Sequence, residues 1–125
     1  MSLLKKSDKI FIAGHKGMVG AAIKKVLEKK GYKKIITADK SILDLRNKKC
    51  VDEWFIEKKP DITIIAAAKV GGIFANNSYP FDFLIDNLKI QNNVIESSWR
   101  NNTRRLLFLG SSCIYPKFAL QPIKE

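Results

Sequence analysis

The sequence predicts an α/β protein built on a Rossmann-like, doubly wound parallel sheet. Short apolar runs alternate with amphipathic helical segments, a glycine-rich turn joins the first run to the first helix, and a nearly continuous apolar run lies in mid-chain. Strands that alternate with helices form right-handed βαβ units, and strands covered on both faces need no polar face. We expect the strand order 3-2-1-4-5, truncated after the fifth strand, in one incomplete domain over residues 1–125.

The first half of the chain predicts three strands and two helices. Residues 9–13, KIFIA, form the first strand, and a helix with apolar residues at helical spacing begins at Met18. Residues 34–38, KIITA, form the second strand, and residues 42–45, ILDL, an abbreviated third. A second helix then ends before Pro60. Its apolar face consists of Cys50, Val51, Trp54 and Phe55.

The second half predicts two further strands and one long helix. Residues 61–68, DITIIAAA, form the central fourth strand, and residues 105–110, RLLFLG, form the fifth. Between them a helix begins at Pro80, with apolar residues at Phe81, Leu84, Leu88, Val94, Ile95 and Trp99. Because no helix follows the fifth strand, we expect an uncovered sheet edge and uncovered apolar helix faces.

Composition and charge exclude several function classes. The net charge of +11 comes mainly from dispersed lysines, with only four arginines for bidentate phosphate contacts, so we expect no nucleic-acid partner.

No apolar run approaches the roughly 20 residues that cross a bilayer, and the N-terminus lacks a secretory signal, which predicts a cytoplasmic protein without a membrane partner. Cys50 and Cys113 should then be reduced thiols, with Cys50 in the core. A single histidine, His15, gives a metal site no support.

The glycine-rich turn predicts a dinucleotide site. Gly14, Gly17 and Gly20 lie between the first strand and the first helix. Glycines there allow a sharp bend, close approach of a pyrophosphate and tight packing of helix on strand, while the helix N-terminus faces the anion. The strand before the turn and the amphipathic helix after it are the context that such a site needs.

The choice between NAD and NADP depends on the end of the second strand. A carboxylate there accepts from the ribose 2′-hydroxyl of NAD, whereas cations there bind the 2′-phosphate of NADP. Asp39 favours NAD, while Lys40 and Lys16 favour NADP. Because two cations that reach one phosphate outweigh one mobile carboxylate, we expect NADP(H), with NAD as the alternative.

Three stretches carry a resemblance to a known family. With AGHKGMVGAAI, AAAKVGGIFANNSYPFDF and LLFLGSSCIYPK, the chain resembles the GDP-L-fucose synthase family of extended short-chain dehydrogenases/reductases. The resemblance covers residues 9–125 but only the N-terminal portion of the family's usual length. The glycine motif and DLRN occur in many sugar-nucleotide epimerases and dehydratases, whereas AAAKVGGI, NNSYP and SSCIYPK are more specific.

The resemblance implies conversion of GDP-4-keto-6-deoxy-D-mannose to GDP-L-fucose. The family inverts C3 and C5 and then reduces the C4 ketone with NADPH. Ser111 matches the catalytic serine, whose hydroxyl stabilises the developing enolate oxygen. Cys113 matches the cysteine that moves a proton, a role open to a thiol whose pKa is tuned toward neutrality.

The resemblance also implies the cofactor contacts. Asp44 and Leu45 match the pair that meets the adenine, and Asn87 matches an asparagine that braces the active-site strand, although an exposed helix residue is an equal alternative. Other contacts follow from the glycine turn, from Lys40 and from the ends of the fourth and fifth strands. They are Gly14, His15, Lys16, Gly17, Met18, Val19, Gly20, Lys40, Ala67, Ala68, Leu109, Gly110 and Ser112.

The proton donor for ketone reduction is missing from this sequence. In the superfamily it is a Tyr-x-x-x-Lys pair one helical turn apart, but Ile36, Phe83 and Ala119 stand four residues beyond the three tyrosines. The substrate domain is likewise absent. We therefore expect the N-terminal part of a GDP-L-fucose synthase, inactive by itself.

Two alternatives remain beside that expectation. One is a catalytically inert dinucleotide-binding module, and the other is part of another NAD(P)-dependent sugar-nucleotide epimerase or dehydratase. The expected partners are a GDP-sugar, a second copy in the homodimer that the complete family enzyme forms, and a complementing C-terminal polypeptide.

Overall fold

A four-stranded parallel sheet with helices on both faces forms the framework. The computed structural model describes residues 3–111, 114–116 and 118–124. Within these ranges the elements are β1 (Ile10–Ala13), α1 (Met18–Lys29), β2 (Ile35–Ile36), α2 (Lys48–Lys58), β3 (Ile62–Ile65), α3 (Ile73–Ser78), α4 (Pro80–Arg100) and β4 (Arg105–Phe108).

The strand order in the described chain is β2-β1-β3-β4, and all neighbouring strands are parallel. The predicted parallel α/β fold and the relative order of these four strands are confirmed. The predicted third strand is not formed, because the amides of Ile42 and Leu43 donate to the Asp39 carbonyl at 2.9 and 2.8 Å. These local hydrogen bonds form a turn at residues 40–42, so residues 42–45 do not pair with the sheet, and Leu43 packs into the core instead.

Each face of the sheet has its own apolar core. Alternate β1 residues point to opposite faces, so Ile10 and Ile12 pack with Leu27 of α1, while Phe11 packs on the other face. There Phe11 meets Phe55 of α2 edge to face, with the ring centroids 5.8 Å apart. Both faces of β1 and β3 are thereby covered, which explains why these strands carry almost no polar residues.

The buried face of α2 differs from the predicted one at one position. Val51 and Phe55 are fully buried, but Cys50 is exposed. The two buried residues lie one helical turn apart and define the stripe that faces the sheet, and Cys50 precedes that stripe by one residue. Its backbone N–H donates to the side chain of Asn47, the N-cap of α2, at 3.2 Å. Cys50 is therefore not a core residue.

Large apolar side chains remain exposed along α4 and β4. On α4, Val94 is buried, whereas Phe81 and Trp99 are 71% and 78% exposed. In β4, Leu107 and Phe108 are about half exposed. The uncovered apolar surface expected from the sequence is thus found on these two elements. Within the described residues, no helix is long and apolar enough to span a bilayer.

Candidate functional site

A cavity of about 470 Å³ opens at the carboxyl ends of β1, β2 and β3. It lies where the chain passes from β1 to neighbours on opposite sides, which is the switch point at which open α/β sheets bind ligands. Its volume is within the range of small-molecule and cofactor sites, roughly 300–1,000 Å³. The predicted cofactor residues that line it are Gly14, His15, Lys16, Gly17, Lys40, Asp44, Leu45, Ala67 and Ala68.

Two glycines of the turn are required by the backbone geometry. Gly14 has a φ of +86°, and a Cβ there would lie 2.7 Å from the carbonyl carbon of Ala66. A Cβ on Gly20 would collide with the carbonyl oxygen of Gly14. Gly20 is buried under the turn and does not line the cavity. Its role is to allow α1 to pack closely against the turn that follows β1.

The N-terminus of α1 is open to an anion. Gly17 is the N-cap, has no side chain with which to accept from the first N–H groups, and is followed by a first turn without Asp or Glu. The Met18 side chain is 88% exposed and that of Val19 is 48% exposed, and neither lines the cavity. Their backbone N–H groups, in the first turn of α1, are the groups that face an anion at this helix end.

Asp39 lies at the end of the cavity where the sequence predicts the ribose. Lys16 Nζ lies 2.8 Å from both carboxylate oxygens of Asp39, and His15 Nε2 lies 3.5 Å from one of them. The hydrogen bond from Lys16 is the main reason why the pKa of the Asp39 carboxyl is lowered. Lys40 lines the same part of the cavity. The carboxylate that would favour NAD is thus already paired with a cation that would favour NADP.

Around Asp44, which the resemblance places at the adenine, the structure shows a network that the sequence did not predict. Arg46 donates to the Asp44 carboxylate from Nε at 3.0 Å and from Nη2 at 2.7 Å, and it also donates to Asp86 on α4 from Nη1 at 3.3 Å. Lys69 Nζ binds the same Asp86 oxygen at 3.0 Å. The side-chain hydrogen bonds from Arg46 lower the pKa of Asp44 to about 2. The only sequence signal for the Asp44–Arg46 pair is their spacing in DLR. No local sequence pattern links Arg46 to Asp86.

Asn87 clamps the loop that follows β3. Its side-chain oxygen accepts from the backbone N–H of Lys69 at 2.7 Å, and its side-chain amide donates to the Lys69 carbonyl at 3.0 Å. Asn87 is therefore a bracing residue and not merely an exposed helix position. In this structure it holds the loop after β3, next to Ala67 and Ala68, and not β4, the strand that leads to Ser111.

Residues 109–111, which directly follow β4, are not among the residues that line the cavity. Leu109 N–H donates to the Ile65 carbonyl at 3.2 Å, which continues the parallel ladder. Leu109, Gly110 and Ser111 do not line the cavity, and Ser111 is exposed. Ser112 and Cys113 lie outside the described residues. The structure thus brings most of the predicted cofactor residues before β4 together and places Ser111 outside the lining of this cavity.

Comparison with known proteins agrees with this architecture. The model of the NAD dependent epimerase/dehydratase family matches residues 10–125. The chain is 52% identical over 124 residues to GDP-L-fucose synthase 1 of Arabidopsis thaliana and 47% identical over 118 residues to GDP-L-fucose synthase of Escherichia coli (strain K12). These matches cover 99% and 94% of this chain but 38% and 37% of the relatives' lengths.

A solved structure shows the same fold. MlghC, a GDP-mannoheptose C4 reductase from Campylobacter jejuni with NADP bound, superimposes with a TM-score of 0.92 at 40% identity. The superposition covers 97% of this chain and 38% of that chain. The family match covers nearly the whole chain, so this chain belongs to the NAD dependent epimerase/dehydratase family, and the two relatives named above are GDP-L-fucose synthases.

Proposed function

We propose that this chain binds NADP(H) and supplies the cofactor-binding part of an enzyme of the GDP-L-fucose synthase type. That enzyme would convert GDP-4-keto-6-deoxy-D-mannose to GDP-L-fucose by 3,5-epimerisation and 4-reduction. The observation that carries the proposal is the cavity at the sheet's switch point, where the glycine turn, an open helix N-terminus and two lysines converge. The identity of 47–52% to GDP-L-fucose synthases supports the choice of reaction.

The residues around the cavity fit a phosphorylated dinucleotide. The open first turn of α1 suits a pyrophosphate, and the small side chains of Ala67 and Ala68 leave room at the end of β3. Lys16 and Lys40 can face a 2′-phosphate, with Lys16 exchanging Asp39 for the phosphate. Such an exchange replaces one charge-assisted contact by another, so NADP binding does not leave a cation unpaired. The NADP present in the related reductase agrees with this fit.

Ser111 and Cys113 would carry this chain's share of the chemistry. Bound NADPH would supply the hydride for the ketone. Ser111 follows β4 at the same carboxyl edge of the sheet as the cavity, and its hydroxyl would donate to the C4 ketone oxygen and stabilise the enolate during epimerisation. Cys113 would return a proton to the sugar carbon. Since no Tyr-x-x-x-Lys pair occurs in the sequence, we expect no ketone reduction by this chain alone.

The cofactor proposal is tested by fluorescence titration of the purified chain with NADPH and with NADH. We expect NADPH to bind at least tenfold more tightly than NADH, because two lysines face the 2′-phosphate. Lys16→Ala should remove most of that preference, whereas Lys24→Ala, on the outward face of α1 beside Glu28, should keep it. Tighter binding of NADH, or no binding of either cofactor, would contradict the proposal.

The reaction is tested by complementation. The chain would be mixed with the C-terminal part of the E. coli relative, beyond its matched region, and NADPH oxidation would be followed with GDP-4-keto-6-deoxy-D-mannose. Activity in the mixture, absent from either polypeptide alone, would support a divided synthase. NADPH binding without activity in the mixture would favour an inert dinucleotide-binding module.

A second candidate reaction is reduction of a GDP-linked 4-keto-heptose. The 40% identity and TM-score of 0.92 to a GDP-mannoheptose C4 reductase favour it. The same assay with a GDP-4-keto-heptose as substrate separates the two reactions by their relative rates.

A further inference from the structure

Four charged side chains form a continuous bridge along one wall of the cavity. Asp44 and Arg46 belong to the loop before α2, Asp86 to α4, and Lys69 to the loop after β3. The contacts run from Asp44 to Arg46 at 2.7 Å, from Arg46 to Asp86 at 3.3 Å, and from Asp86 to Lys69 at 3.0 Å. Two carboxylates and two cations make the bridge neutral, and all four residues line the cavity.

The bridge fixes the Asp44 carboxylate in one orientation. Arg46 binds one carboxylate oxygen through Nε and the other through Nη2, and its backbone N–H donates to the first of them at 3.0 Å. A fork that holds both oxygens prevents rotation of the carboxylate about its terminal bond. The guanidinium is itself anchored by Asp86, whose side chain is only 15% exposed and is held by Lys69 as well.

We propose that Arg46 and Asp86 are positioning residues that make Asp44 selective for the exocyclic amine of adenine. This inference rests on the proposed dinucleotide site and deepens it. A fixed carboxylate accepts from the amine of adenine but cannot turn to a donor elsewhere on the base. A carboxylate that is free to rotate can accept from any nearby donor of the base, so it discriminates less between adenine and other bases.

The probe for this role is the NADPH analogue with hypoxanthine in place of adenine. Hypoxanthine carries a carbonyl oxygen where adenine carries the amine, and its only nearby donor is the adjacent ring N–H. The wild-type chain should bind NADPH about tenfold more tightly than the analogue, as expected for one hydrogen bond to a charged group. In Arg46→Leu the ratio should fall below threefold, because Asp44 can then turn toward the ring N–H.

The control is Arg100→Leu, which removes an arginine paired with Glu96 at the far end of α4 and should keep the tenfold ratio. Arg46→Lys keeps the charge without the fork and should give an intermediate ratio. Asp86→Asn leaves the fork but weakens its anchor, so it should also reduce the ratio, and it provides a second test if Arg46→Leu does not fold. Thermal melts establish that each variant is folded.

The outcomes separate this inference from the proposed function. Binding of neither nucleotide by the wild-type chain would refute the dinucleotide site and the positioning role together. NADPH binding by the wild type with an unchanged tenfold ratio in Arg46→Leu and Asp86→Asn would refute the positioning role alone. Equal weakening of both nucleotides in these variants would show a general structural role and would also overturn the inference.

Discussion

Lys16 Nζ lies 2.8 Å from the carboxylate of Asp39, so the two side chains that were predicted to favour different cofactors are bound to each other. The pair forms part of the cavity wall, and His15 adds a third polar group 3.5 Å from the carboxylate. A 2′-phosphate must compete with Asp39 for Lys16, whereas a 2′-hydroxyl must compete with Lys16 for Asp39. In the proposed cofactor site, the choice between NADPH and NADH would therefore depend on the strength of the Lys16–Asp39 ion pair.

Asp39→Asn should strengthen NADPH binding. The change frees Lys16 for the 2′-phosphate and removes a negative charge that would lie close to it. We expect a decrease in the dissociation constant of NADPH of about three- to tenfold, measured by fluorescence titration, with no gain for NADH. Asp82→Asn on the exposed first turn of α4 is the matched control and should leave both constants unchanged. Weaker NADPH binding by Asp39→Asn would show that Asp39 orients Lys16 for the phosphate.

Gly20→Ala should destabilise the fold and abolish cofactor binding. The added Cβ would meet the Gly14 carbonyl oxygen, so the turn would have to move away from α1. Overpacking of this kind costs about 1–3 kcal/mol of unfolding free energy, which urea denaturation can measure. At Gly72 a Cβ has nothing within 4 Å and φ is −71°, so Gly72→Ala should change stability by less than about 0.5 kcal/mol. Equal stability of the two variants would contradict the packing role of Gly20.

Asn87→Ala should loosen the loop after β3. Both hydrogen bonds to the Lys69 backbone would be lost, at a cost of about 1–2 kcal/mol. Hydrogen–deuterium exchange of the Lys69 amide should become faster by about tenfold or more, because its acceptor is removed. Asn92→Ala on the exposed face of the same helix is the control. If exchange at residue 69 is as slow in Asn87→Ala as in the wild type, other contacts hold the loop.

The Asp8 carboxylate should make the fold sensitive to acid. Asp8 is buried, accepts from the Lys5 N–H at 2.7 Å and from Arg104 at 2.6 Å, and these contacts lower its pKa. The stabilisation is therefore complete above the unfolded-state pKa of about 3.9 and is lost as the pH falls through the lower folded-state value.

Asp8→Asn removes this charge and should lower stability by about 1 kcal/mol at pH 7. Its melting temperature should also fall less than that of the wild type between pH 5 and pH 3. Glu53→Gln, an exposed carboxylate 3.9 Å from Lys49, should follow the wild type at every pH. A wild-type acid response that persists in Asp8→Asn would assign the effect to another carboxylate.

Short-range chemistry explains which parts of the site could be predicted from the sequence. Gly14 and Gly20 are local requirements, because a positive φ and a helix that touches its own preceding turn demand glycine regardless of the rest of the fold. The residues after β1, β2 and β3 could be placed together because parallel strands end at one edge of the sheet. Cys50 was misplaced because an apolar pattern determines the buried face of a helix only to within about one residue.

The sequence by itself determined the alternation of strands and helices, the glycine turn and the parallel sheet, since periodicity and turn chemistry act over a few residues. Only the tertiary structure decided that Lys16 binds Asp39 and that Arg46 binds Asp86, forty residues further along the chain. It also decided that Ile42 and Leu43 bond back to the Asp39 carbonyl and that residues 42–45 do not join the sheet. Such pairings depend on which loops the sheet and α4 bring together, and no local sequence pattern determines these contacts.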